Sequence, residues 1–144
     1  MFVADFMTPH PLTVLPEDNL RTAFERMAQG GRHLPVLDED GDLVGIVTDR
    51  DLRLAVNSPL IMRERAQDET LLETAQVASV MSSPVYTTHP EASLREAAQL
   101  MLDKEISGLV VVDGAAHIVG VISMTDLMRG LIQLLSPSAG ANSG

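Results

Sequence analysis

Residues 3–27 recur at 77–101 without a gap, and this duplication restricts what the chain can fold into more than any other feature of its 144 residues. The identities are Val3/Val77, Ala4/Ala78, Met7/Met81, Thr13/Thr87, Pro16/Pro90, Glu17/Glu91, Leu20/Leu94, Arg21/Arg95, Ala23/Ala97 and Met27/Met101. One extra residue enters the second copy near Ile106. Leu34/Leu109, Val36/Val111, Asp38/Asp113, Val44/Val119, Gly45/Gly120, Asp51/Asp126 and Leu52/Leu127 then continue the match. Self-similarity this far above chance marks one supersecondary unit made twice. The copies are set at 1–56 and 77–135, with 57–76 joining them. In the joining segment Asn57-Ser58-Pro59 is a break, and Arg63–Gln76 has the length of a short helix. The tail 136–144 is small, polar and expected to be disordered. A starting Met and a closing polar tail are what a complete small chain is expected to have.

Each copy reads alike. A short β segment (Leu12–Val14; Tyr86–Thr88) precedes a Pro and an N-cap, Asn19 or Ser93, and Ser93 with Glu96 has the form of a capping box. Leu20, Ala23, Phe24 and Met27 follow at i, i+3, i+4, i+7, as do Leu94, Ala97, Ala98 and Met101, so each helix has one apolar face. Two short apolar strands come next, His33–Leu37 and Leu43–Val47 around the turn Asp38-Glu39-Asp40-Gly41, or Leu109–Val112 and Ile118–Ile122. A helix starting at Thr48 or Ser123 closes each copy. The fold class is therefore α+β (mixed α/β), two βαββα repeats related by a pseudo-twofold. A unit of about 50 residues has little core of its own, and packing two together supplies it.

The net charge of −10 excludes the basic footprint of a nucleic-acid-binding protein and long-range attraction to anionic lipid. No apolar run approaches the length of a membrane span, and the N-terminus lacks the pattern of a signal peptide, so a cytoplasmic protein is expected. The absence of cysteine excludes disulfides, thiolate nucleophiles and cysteine zinc sites.

Two strings carry the chemistry, Gly45-Ile46-Val47-Thr48-Asp49-Arg50-Asp51 and Gly120-Val121-Ile122-Ser123-Met124-Thr125-Asp126. Both run strand, hydroxyl residue, two residues, Asp, helix. One reading is structural: the hydroxyl and the Asp cap the helix. The other is functional: a helix N-terminus with a hydroxyl suits a phosphate, and the Asp suits a pair of ribose hydroxyls. His10, His33, His89 and His117 lack metal-ligand spacing. The acidic turn Asp38–Asp42 matches no calcium loop and reads as a solvated hairpin turn. The eight Met read as core filler. No Gly-rich phosphate loop or Ser-His-Asp arrangement appears.

Met7-Thr8-Pro9 and Met81-Ser82-Ser83-Pro84 at the repeat starts, His33-Leu34-Pro35-Val36-Leu37-Asp38, and the two Gly-x-x-Thr/Ser-x-x-Asp strings together resemble the cystathionine β-synthase (CBS) domain, present as a pair, a Bateman module. The resemblance covers Val3 to about Leu135. It implies two clefts for adenosyl ligands such as AMP, ADP, ATP, NAD(H) or S-adenosylmethionine, each built from both repeats. Thr48 and Ser123 would meet phosphate, and Asp51 and Asp126 would hold ribose. The adenine beside Asp51 would lie near Val85 and Tyr86, and the one beside Asp126 near Pro11 and Leu12. The clefts differ: Arg50, Arg32 and His33 in the first are matched by Thr125, Ser107 and Gly108 in the second. A polyphosphate on so acidic a protein needs local positive charge, so the Asp51 cleft is expected to favour ATP or ADP and the Asp126 cleft neutral ends.

The resemblance implies a regulatory or sensor protein without catalysis, metal or obligatory cofactor. It implies an adenosyl effector, a homodimer and an unidentified regulated protein as partners. Leu127, Met128, Leu131, Ile132, Leu134 and Leu135 give an apolar helix face suited to dimerisation or to burial within one chain. Two alternatives stay open: a regulatory piece of a larger enzyme or transporter, and a structural dimerisation module with empty clefts.

Overall fold

The computed structural model describes residues 1–56 and 65–137. The break expected at 57–59, the first two residues of the linker helix expected over 63–76, and the tail from 138 onward lie outside the described residues. In chain order the elements are α1 (Val3–Phe6), β1 (Thr8–Pro9), α2 (Leu20–Ala28), β2 (His33–Leu37), β3 (Leu43–Thr48), α3 (Asp49–Val56) and α4 (Arg65–Thr74). A 3-10 turn over Val77–Ser79 follows, then β4 (Thr87–Thr88), α5 (Leu94–Lys104), β5 (Gly108–Val112), β6 (Ile118–Ser123) and α6 (Met124–Leu135). The βαββα order stands in both repeats. None of the described helices is long and apolar enough to cross a membrane.

Contacts divide the chain into two compact units, Pro11–Val85 and Met1–His10 together with the chain from Tyr86 onward. The start of each repeat thus belongs to the unit built mainly from the other. In the second unit β1 pairs antiparallel with β6, β6 antiparallel with β5, and β5 parallel with β4. The first unit repeats this order in reduced form. Ser82 bridges Ile46 antiparallel, β3 pairs with β2, and Val14 bridges Val36 parallel. The irregularity in the hairpin falls at matching places, Val36/Leu37 and Val111/Val112. The strands expected at Leu12–Val14 and Tyr86–Thr88 shrink to Val14 alone and to Thr87–Thr88. Pro11 has no amide to give a ladder, and of the first segment only Val14 is buried.

Two features explain why these residues form these elements. First, Asn19 and Ser93 cap α2 and α5, accepting from the Thr22 and Glu96 amides (2.9 and 3.0 Å). The Glu96 carboxylate does not return the bond, so the capping box expected there is only half made. Second, the apolar identities Val3/Val77, Ala23/Ala97, Leu34/Leu109 and Val36/Val111 are core in both copies. Val14, Leu20, Ala23, Leu34, Val36, Val47, Leu52 and Val77 fill the first unit. Val3, Ala97, Met101, Leu109, Val111 and Ile122 fill the second. The motif glycines admit no side chain. A Cβ on Gly45 would stand 2.5 Å from Met81 Sδ, and one on Gly120 would stand 2.7 Å from Met7 Sδ and 2.9 Å from the Thr8 carbonyl oxygen.

The units differ on their helical faces. In the first, α4 packs on α2 and α3, with Leu72 and Ala75 against the core and Glu73 3.4 Å from Arg21. The Ala75 carbonyl accepts the Leu20 amide (3.1 Å). In the second, the Met1 carbonyl accepts the Leu94 amide in the same way (3.1 Å), and none of the described residues stands in the place of α4. There a groove of about 710 Å³ lies open between α5 and α6, lined by Leu94, Ala98, Met101, Met124, Leu127 and Leu131 among others.

Candidate functional site

Each motif is a strand running straight into a helix. In the first unit the Thr48 amide donates to Asp51 Oδ2 (2.9 Å) and the Asp51 amide to Thr48 Oγ1 (3.1 Å). In the second, the Ser123 amide donates to Asp126 Oδ2 (2.8 Å) and the Asp126 amide to Ser123 Oγ (3.2 Å). Both are complete capping boxes, so the structural reading of these strings is realised twice. The first helical amides also have acceptors: Asp49 donates to the Arg32 carbonyl (3.0 Å) and Met124 to the Ser107 carbonyl (2.9 Å). With two of the first three amides of α3 and of α6 engaged, a phosphate here must draw on the hydroxyl and on charged side chains more than on the bare helix end.

The charged side chains differ as the sequence suggests. His33 pairs with Thr48 in the β2–β3 register, and Gly108 with Ser123 in the β5–β6 register. Arg32, His33, Thr48, Arg50 and Asp51 are therefore gathered at one end of one hairpin. Arg32 and Arg50 are exposed, and neither forms an ion pair with any described residue. The matching end of the other hairpin has Ser107, Gly108, Ser123, Thr125 and Asp126. Pro11, Leu12 and Val85 fall in the unit of Asp51, and Tyr86 in the unit of Asp126. Pro11 and Val85 are partly buried and Leu12 is exposed. The partly buried Tyr86 has Lys104 Nζ 5.2 Å from its ring centre.

Sequence reasoning missed Arg129. Its Nη1 donates to Asp126 Oδ1 at 2.8 Å, while Oδ2 takes the Ser123 amide and hydroxyl (3.0 Å for the latter). Both carboxylate oxygens of the buried Asp126, 4% exposed, are thus occupied. At the matching place in the first unit stands Leu54, and Asp51 Oδ1 has no donor among the described residues. The i,i+3 spacing of Asp126 and Arg129 on one helix face was the available signal.

The acidic turn resolves as a turn. Asp38, Asp40 and Asp42 bring carboxylate oxygens within 4.8 Å of one another. Yet Asp38 Oδ1 accepts the Asp40 and Asp42 amides (3.0 and 2.9 Å), and Asp113 Oδ1 accepts the Ala115 and His117 amides (both 2.9 Å) where no acidic cluster exists. The Asp is there to close the hairpin.

The sequence model of the CBS domain matches residues 3–58 and 77–133. A CBS domain-containing protein of Dictyostelium discoideum is 33% identical over 138 residues, 95% of each chain. Among solved structures, a CBS domain pair in complex with 5′-methylthioadenosine and S-adenosyl-L-methionine is 27% identical, with a TM-score of 0.74, covering 93% of this chain and 98% of that one. The protein CBSX2 in complex with AMP is 27% identical, with a TM-score of 0.70 over 94% and 99% of the two chains. The chain also matches 23% of the length of a homoserine O-acetyltransferase of Methanococcoides burtonii, at 33% identity over 128 residues.

Proposed function

The chain belongs to the CBS-domain family, and from that premise we propose that it is a non-catalytic regulatory module of the cytoplasm whose strand-to-helix motifs bind adenosyl ligands: AMP, ADP, ATP, NAD(H) or S-adenosylmethionine. The observation that carries this reading is Asp51 Oδ1, an acceptor with no donor among the described residues, at the hairpin end that also holds the Thr48 hydroxyl and two arginines that pair with no described residue. A cis-diol donates to a carboxylate, and a phosphate accepts from a hydroxyl and a guanidinium. In this reading Asp51 and Asp126 hold ribose, and Thr48 and Ser123 meet phosphate, with Arg32 and Arg50 adding charge and His33 a ring nitrogen at the first motif, and Thr125 no charge at the second. The stretches Pro11–Leu12 and Val85–Tyr86 meet adenine. A ligand that binds one arrangement of the module better than another shifts its population and so signals to a protein partner.

Calorimetry with AMP, ATP, NADH and S-adenosylmethionine tests the reading. A true ligand at 100 times its Kd raises stability by about 2.7 kcal/mol. Silence from all four leaves the alternative, a structural module with empty clefts.

A homodimer completes the proposal. Met128, Ile132 and Leu135 on α6 are 56, 65 and 70% exposed, and the adjoining groove is open, an apolar extent that marks an interaction surface. A second copy covers it. Ile132→Asp should then turn a sedimenting dimer into a monomer, and a monomeric parent protein would reject the idea. Enzyme relatives that match only over a quarter of their length favour a second reading, a module serving a catalytic partner.

A further inference from the structure

The two motifs correspond position by position, and one difference falls on the atom that matters most. A ribose cis-diol needs carboxylate oxygens free to accept its two O–H groups. Asp51 offers Oδ1. In Asp126 the Ser123 amide and hydroxyl fill both lone pairs of Oδ2, and the Arg129 guanidinium covers Oδ1 at 2.8 Å. The Asp126 carboxylate is 6% exposed, whereas the Arg129 side chain that reaches it is 66% exposed. The bond is therefore charge-assisted and screened from water at the acceptor, with a donor that solvent can receive when it leaves.

The geometry points to Arg129 as a specificity-determining residue, a latch that occupies the Asp126 carboxylate and closes the second motif to ribose hydroxyls. The chain then has one open nucleoside site, at Asp51, and one latched site, at Asp126, which holds ribose only once Arg129 has left it. This rests on the adenosyl-binding reading above and assigns the difference between its two sites to one side chain. Leu54, at the matching position of the first unit, is 60% exposed and makes no such contact, so exchanging the two residues exchanges the latch without disturbing a core.

The test uses adenosine as the probe, since it is anchored by ribose and base alone. The full chain should bind one adenosine, and Asp51→Ala should weaken that binding by about tenfold or more. Arg129→Leu should add a second site of similar affinity, still present in the Asp51→Ala/Arg129→Leu double variant and lost when Asp126→Ala is added. Leu54→Arg should weaken the first site by about tenfold or more, the worth of one bond to a charged group. Leu54→Arg should melt with the parent chain, while Arg129→Leu, which takes the donor from a carboxylate that is 6% exposed, should melt earlier but still as one cooperative fold. Two equal sites in the parent chain, or a stoichiometry of one in Arg129→Leu while the Asp51 site still binds, would overturn the latch alone. If neither adenosine nor AMP binds any variant, the adenosyl reading falls and the latch falls with it.

Discussion

At Asp51 one carboxylate caps α3 and, in the proposed function, accepts ribose, and two substitutions pull these roles apart. Asp51→Asn keeps an oxygen for the Thr48 amide, while Asp51→Ala keeps none. The Ala variant should lose about 1 kcal/mol of stability with its cap, and the Asn variant should melt close to the parent protein. Both should bind adenosyl ligands more weakly, by about 1.5–3 kcal/mol if the bond to ribose is charge-assisted. Calorimetry beside a melting curve separates the effects: unchanged affinity with early melting in the Ala variant leaves Asp51 as a cap only. The motif glycines make a second pair. Gly45→Ala meets only the Met81 side chain, from Sδ down to Cβ, but Gly120→Ala meets both the Met7 side chain and the Thr8 backbone oxygen, which cannot rotate away. Overpacking of this kind costs about 1–3 kcal/mol, and denaturant melts should show Gly120→Ala as the more destabilising. Asp113 gives a pH dependence. The His117 amide donating to its carboxylate is the largest cause holding it below its ordinary value of 3.8. A lowered folded-state pKa contributes stability that is present above the ordinary value and lost as pH falls through the folded one. Protection factors of the β5–β6 turn amides, corrected for intrinsic exchange, should therefore fall only in that acid range.

Matching helices of the two units carry unequal loads. Leu52 on α3 is fully buried, while its counterpart Leu127 on α6 is only partly so, beside the open groove. Leu52→Ala should cost about 2–5 kcal/mol and Leu127→Ala distinctly less. Equal losses in chemical melts would mean that something covers α6 in solution, as the proposed dimer does. The helices were legible in the sequence because cap and apolar period agree on them: Asn19 before Leu20, Ser93 before Leu94. β1 was not. Two residues, one a proline, carry no pattern, and Thr8–Pro9 is a strand only through its pairing with Gly120–Val121 far along the chain. The hydroxyl–Asp motif was legible because a duplicated four-residue spacing is local and repeated. Arg129 was hidden for the opposite reason. An Arg three residues from an Asp on a helix is commonplace, and only the burial of Asp126 makes the pair consequential.

The whole molecule is strongly acidic, and its exposed Arg32 and Arg50 stand against that field at one motif. ATP binding lost on Asp51→Ala should weaken steeply with salt, since exposed charges are screened over about 8–10 Å at physiological ionic strength. Salt-independent ATP affinity would remove these arginines from the site. The exchange of repeat starts gives another expectation. Deleting Met1–His10 takes β1 and the fully buried Val3 from the second unit and nothing from the first. Hydrogen exchange should show protection collapsing in β6 and α5 while β2 and β3 keep theirs. The same exchange bears on how the chain is born. A ribosome delivers Pro11–Val85 as one uninterrupted stretch, able to collapse as it emerges. The ten residues ahead of it, with Phe2, Val3, Phe6 and Met7, leave the tunnel before it but find their sheet only when Gly120 and Val121 arrive. At roughly 5–20 residues per second that wait is on the order of ten seconds. Throughout it these ten residues stay sticky and unhoused, a natural client for a chaperone.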